Sequence, residues 1–281
     1  MSASPEAHTP RFLAWLYCTR SQQAVLGSLC AIEQEIGASL RPGIDHHVAH
    51  TRLEFWREEC VRCAAGKPVH PLTRELRRHM ERLVPANPPN TALAGLTGLV
   101  DAATWDLAGA TFERREELTA YCHRWAAAMV LPLAPEAEAP PAQTAWTDLG
   151  AALREIELLG HLARDARSGR LRVPLDELAQ AGIAAAALAH PPWPQELADI
   201  LRARHRALRG QLAASIAALP PRSQHRARGL LVWAALACQA SIRAERALPC
   251  VPPASIASAA AANWRAWRAA RAASAGRLRL A

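Results

Sequence analysis

The chain has 281 residues, of which 51% are hydrophobic, enough to bury a sizeable core. Its 33 Lys and Arg against 25 Asp and Glu give a net charge of +8. The arginines are spread over most of the length and no helix-turn-helix, zinc-finger or RNA-binding signature accompanies them, so a nucleic-acid partner is excluded. No apolar run is long enough to span a bilayer. Much of the hydrophobic content is Ala alongside Leu, Arg and Glu, residues that lose little freedom in a helix, and β-branched runs bounded by turn signals are nearly absent. The expected fold class is all-α. Seven cysteines, an odd number, and the polar start "MSASPEAHTPR" fit a reducing cytoplasm. Cys60 and Cys63 form a C-x-x-C inside a helical pattern with no second pair to complete a zinc site, so they read as packing residues.

In chain order, "RFLAWLYCTRSQQAVLGSLCAIEQEIGASL" has apolar residues at helical spacing and predicts one helix, stopped by Arg41-Pro42-Gly43. A second helix runs from about His47, capped near Asp45, to Gly66 with Pro68 beyond; Trp56 and Arg57 pack it. "HPLTRELRRHMERLVP" predicts a third and residues 91–107 a fourth. "TFERREELTAYCHRWAAAMVLPL" opens with acids, which suits a helix N-terminus. Residues 134–145 predict a surface loop within a single domain covering 1–281. A helix through residue 154 onward, a turn at "SGR", a short helix at 175–181, and helices at 194–218 and about 222–246 follow. The chain closes on a basic helix at about 254–279, where Trp264 and Trp267 with nearby arginines suit docking on the bundle or peripheral contact with a membrane.

Several separate pieces, in order, resemble the squalene/phytoene synthase family: "LEFWREECVRCAAGKPVHPLTREL", "LVDAATWDL" with Asp101 and Asp106, "FERREELTAYCHRWA", "RDARSGRLRVPLDELAQAGI" and the terminal "NWRAWRAA". The resemblance implies an isoprenoid-synthase-like helical bundle around a central apolar pocket. It also implies two aspartate-rich motifs on facing helices, whose carboxylates hold Mg2+ against prenyl diphosphates during head-to-head coupling. Tyr121 and Met129 become candidates for lining the pocket.

Those motifs are degraded here. Counting back from Gly169-Arg170 in "REIELLGHLARDARSGRLRVPLDEL", the positions of the second motif fall on Glu157, Gly160, His161, Arg164 and Asp165. Only Asp165 keeps its acid, and Arg164 reverses a charge. The first motif falls in "CAIEQEIGASL", where Glu35 occupies an acidic position, with Ser39 or Ala38 at the distal one; Glu33 matches the family's preceding glutamate. The residual metal set is Glu35 and Asp165, with Mg2+ expected only if the chain is an enzyme. Arg164 is expected either to pair with Glu35 or another inward acid, or, with His161 and Arg170, to bind a diphosphate directly. His161 and Asp165, four apart, should share a helix face. Glycines of the family's block after Tyr-Cys are replaced by Ala126, Ala127, Ala128, Met129 and Val130, which implies a straighter helix or a smaller pocket. Two functions follow from the resemblance: a divergent prenyl-diphosphate transferase, or a noncatalytic isoprenoid-binding or assembly protein with a protein partner. The loss of acids favours the second.

Overall fold

A computed structural model describes residues 4–7, 9–41, 43–84, 90–135, 142–252 and 259–280, and every regular element among them is helical. The expected first helix is two. α1 (Pro10–Leu16) ends before Thr19, and α2 (Arg20–Gly37) restarts there. The Thr19 hydroxyl accepts from the Gln22 backbone N–H while the Gln22 side chain accepts from that of Thr19, a reciprocal cap that satisfies two orphan donors. α3 (His46–Ala64) begins where the Asp45 carboxylate accepts from the backbone of His47 and Val48. It runs out at Gly66, whose φ of 85° suits glycine. α4 (Pro71–Leu83) starts on a proline whose missing N–H would have been unpaired anyway.

The expected fourth helix is broken into α5 (Asn90–Leu93), a 3-10 turn at Ala94–Leu96, and α6 (Thr97–Leu107). α7 (Arg115–Met129) carries Glu116 and Glu117 in its first turn, favourable at the positive end of the helix dipole. α8 (Ala142–Gly160) starts inside the segment expected as a loop at 134–145; residues 136–141 lie outside the described set. α8 ends one residue before His161, and α9 (Leu162–Arg167) and α10 (Leu175–Gln180) flank the "SGR" turn. α11 (Gln195–Ala218) is one long helix. The next is split at Ala227 into α12 (Pro221–Arg226) and α13 (Arg228–Ala247). α14 (Ala259–Ser274) is shorter than expected, with residues 253–258 outside the described set.

α8 lies between α7 and α11, α13 packs on α1, α8, α11 and α14, and α2 packs on α4. The close α6–α7 approach has a sequence cause. A Cβ on Gly98 would stand 2.3 Å from the Arg124 carbonyl oxygen, closer than any real contact, so only glycine lets the two backbones meet. Trp125, Trp146 and Trp233 are fully buried in the main cluster, which draws on residues from α1 to α14. Each such ring buries roughly 150–250 Å². No helix is long and apolar enough to cross a membrane among the described residues.

Candidate functional site

α2, which carries Glu33, and α8, which carries Glu157, are bridged by a residue from α1. Arg11 donates through Nε to Glu157 Oε1 at 3.2 Å and through Nη2 to Glu157 Oε2 at 2.8 Å. Its Nη1 donates to Glu33 Oε2. Glu33 Oε1 accepts from Trp125 Nε1 at 2.8 Å. Arg154, one turn before Glu157, donates to the Tyr121 hydroxyl at 3.3 Å and has Nη1 3.5 Å from Glu157 Oε2. Aromatic faces complete the setting: the Arg11 guanidinium is 5.3 Å from the Trp125 ring centre and 5.1 Å from that of Trp233. Arg154 is 5.3 Å from Trp125 and 5.9 Å from Tyr121. These are cation–π distances.

The electrostatics follow from this enclosure. Burial alone would raise the Glu33 carboxyl, but Arg11 and then Arg154 outweigh it and hold the group below its usual range. Burial opposes the charge on Arg11, and Glu157 and Glu33 more than reverse that, so its pKa is raised well above the ordinary value. Arg11, Glu33 and Glu157 keep 19%, 23% and 27% of their side-chain surface open, so the network is partly solvated rather than sealed in a dry core.

The residues singled out in the sequence lie elsewhere. The break after α8 puts His161 at φ −115°, outside the helix. His161 is exposed while Asp165 is 7% exposed, so the two do not share a face. Partial burial and then Arg164 lower the His161 pKa. Arg164 is 69% exposed, and its ion-pair partner is Asp165 at 3.6 Å; the expected pairing with Glu35 does not form. Asp165 accepts from Arg172 Nε at 3.3 Å, and Arg172 reaches on to Asp106 at 2.8 Å. Arg170 Nη1 stands 3.8 Å from Asp106. Asp165 therefore braces the turn between α9 and α10 against α6. The turn closes with Arg170 N–H on the Asp165 carbonyl at 2.9 Å, and Gly169 supplies its φ of 78°. Glu35 is exposed beside a separate cleft of about 300 Å³ that is also lined by Arg52, Phe55, Trp56 and His70. Met129 is fully buried, and the Tyr121 ring is buried with its hydroxyl on Arg154.

Cys60 and Cys63 are buried and unbonded, and burial pushes both thiols up to about 12. They are packing residues. Among the described residues no three His, Cys, Asp or Glu side chains gather as metal ligands. The two carboxylates that do face one another, Glu33 and Glu157, are both taken by Arg11. A magnesium cluster needs several hard oxygen ligands free of a competing cation, and these residues do not fit one. Sequence reasoning missed Arg11 and Arg154 and passed over Glu33 and Glu157. The available signal was charge inside apolar stretches: Arg11 before "FLAWL", Glu33 between Ile32 and Ile36, Glu157 before Leu158-Leu159.

Comparison with known proteins agrees with the architecture. The pattern of the squalene/phytoene synthase family matches residues 6–268. The chloroplastic phytoene synthase of Narcissus pseudonarcissus is 25% identical over 188 residues, which is 64% of this chain and 40% of that relative. The chain thus matches well under two thirds of that relative's length. A dehydrosqualene synthase crystallised with a ligand superposes with a TM-score of 0.73 at 14% identity, over 95% of this chain and 91% of that one. The squalene synthase HpnC from Alicyclobacillus acidocaldarius gives 0.64 at 18% identity, over 85% and 89%. At these identities the two structures show the fold: an all-α isoprenoid-synthase bundle. With the family pattern spanning nearly its whole length, the chain belongs to the squalene/phytoene synthase family.

Proposed function

We propose that this chain is a noncatalytic member of its family, an isoprenoid-binding or assembly-type protein that does not carry out magnesium-dependent head-to-head prenyl coupling. One observation carries the reading: the Arg11 guanidinium is bound by Glu33 from α2 and by Glu157 from α8. A metal ion entering between those helices would have to displace a paired, enclosed cation, and breaking such a pair costs about 3–5 kcal/mol before any metal is held. Arg164, on the outside of the break after α8, brings positive rather than negative charge to the second motif, and His161 replaces an acid there with a group whose charged form is disfavoured. The relatives' names point to isoprenoid diphosphates as the ancestral ligand class. The open surface on Arg11 suits an anionic or polar head group.

The proposal treats residues 1–281 as one domain in the cytoplasm with peripheral contact to anionic membrane. Trp264 and Trp267 stack at 4.8 Å, are 57% and 42% exposed, and have Arg271 5.6 Å from the Trp267 ring. α14 carries no acidic residue, and exposed tryptophans beside arginines suit the boundary of an anionic bilayer.

The deciding experiment incubates the folded protein with farnesyl or geranylgeranyl diphosphate, with and without magnesium, and measures released diphosphate and extracted products. The expected result is no release and no coupled product under either condition. Magnesium-dependent release with a squalene- or phytoene-type product would overturn the proposal in favour of a divergent transferase.

A further inference from the structure

A second cluster of charge lies away from the Arg11 network. On α11, Arg202, Arg206 and Arg209 recur at helical spacing; on the facing α13, Ile242, Glu245 and Arg246 do the same. The six line one cleft of about 490 Å³, within the range of small-molecule sites. Its lining has a surplus of three positive charges, or two once Asp199, which pairs with Arg202 at the rim, is counted.

The cleft is organised from within. Glu245, 14% exposed, accepts from Arg206 Nε at 2.6 Å on one oxygen and from Arg209 Nη2 on the other. Arg209 also donates to the Ser241 hydroxyl at 3.1 Å. Both oxygens of the acid are therefore engaged, while the terminal N–H groups of Arg206 have no protein partner among the described residues, nor has Arg246. Complementing the α13 C-terminus accounts for Arg246 alone. It does not account for Arg206 and Arg209 sharing one carboxylate while Arg202 and Arg246 line the same cleft.

We infer that the α11–α13 cleft is a binding site for a phosphate-bearing anion, with Glu245 and Ser241 positioning the guanidinium groups of Arg206 and Arg209 and with Arg202 and Arg246 closing on the same anion. Planar guanidinium forks match phosphate oxygens in paired hydrogen bonds. The phosphate can belong to a free diphosphate or to a lipid head group, which share this chemistry. The inference does not rest on the proposed function, because the site lies outside the Arg11 network.

The test is calorimetric titration of the full chain, without magnesium, with inorganic diphosphate and separately with the soluble short-chain lipid dihexanoyl phosphatidic acid. Each titration is repeated for Arg206→Gln/Arg246→Gln and for Arg78→Gln/Arg82→Gln, a control of equal net charge on exposed positions of α4. Binding of at least one probe should weaken about tenfold or more in the first variant and stay unchanged in the control; the tighter probe identifies the source of the phosphate. Thermal unfolding of both variants, expected to match the parent, separates loss of binding from loss of fold. Equal weakening in both variants, binding that survives Arg206→Gln/Arg246→Gln, or no binding of either probe at millimolar concentration would overturn the inference.

Discussion

Arg11 takes a full positive charge into the space between two helices and is tolerable there only because two carboxylates and two tryptophan faces meet it. Replacing it with Met should therefore cost about 3–5 kcal/mol, since Glu33 and Glu157 are left facing each other without a cation. The triple change Arg11→Met/Glu33→Gln/Glu157→Gln should recover most of that loss. Urea midpoints of the three proteins check it, and a single variant as stable as the parent would show that the network contributes nothing. The residues of this network were the least legible part of the sequence. Counting motif positions registers which acids are gone, and it named Glu157 as a motif position without giving it a role. It cannot register a cation arriving from 146 residues away. Nor could it foresee that the break at His161 would turn Arg164 outward while keeping Asp165 in. Gly160, directly before it, is the one local sign of the break.

At the scale of helices, the glycines lost from α7 have counterparts on its neighbours. Gly95 and Gly98 face Ala127 and Arg124, and Gly150 on α8 faces Ala126 and Val130. α7 stays continuous from Arg115 to Met129 because the small residues that let it pack closely sit opposite it. Gly98→Ala should destabilise by about 1–3 kcal/mol, because the carbonyl it would strike belongs to the backbone of a buried helix and cannot swing away. Gly210→Ala, inside α11 with nothing within 4 Å of the new methyl, should stabilise by about 0.5–1 kcal/mol through helix propensity. Denaturant unfolding of the pair checks both signs together. Helix ends with local chemistry were readable: Asp45, Gly66, Pro71 and Gly169 act through their own or adjacent backbone. The splits at Ala94–Leu96 and Ala227 were not, because they are imposed by packing between distant segments.

For the molecule as a whole, charge is largely spent on internal pairing. Buried Glu155 is held by Arg115 and Arg204, and Arg172 spans Asp106 and Asp165, so the excess of arginine does not form one continuous basic face. Stability should depend on pH through His205. It is buried with Nδ1 3.0 Å from the Ser241 hydroxyl, and burial, then Arg209, push its pKa down to about 4 against the opposing effect of Glu245 and Glu155. Between about 6.5 and about 4 the unfolded chain binds a proton that the folded one refuses. Stability is thus complete above that window and falls as pH drops through it, by up to about 3 kcal/mol. Glu33, whose carboxyl is held low, adds a further loss once pH falls below its usual value of 4.5. Urea midpoints measured from pH 7 to pH 4 should fall steadily, and His205→Gln should flatten the upper part of that slope. An unchanged slope would assign it to other groups.

The cysteines carry a practical consequence. Burial holds the thiols of Cys18, Cys30, Cys60 and Cys63 up at about 12 and raises those of Cys122 and Cys238 as well, which leaves them protonated and poorly nucleophilic. Cys250 alone is exposed among the cysteines, four residues past Arg246 in the sequence. The native chain thus offers one preferred attachment point for a fluorophore or spin label, with no cysteine to remove first.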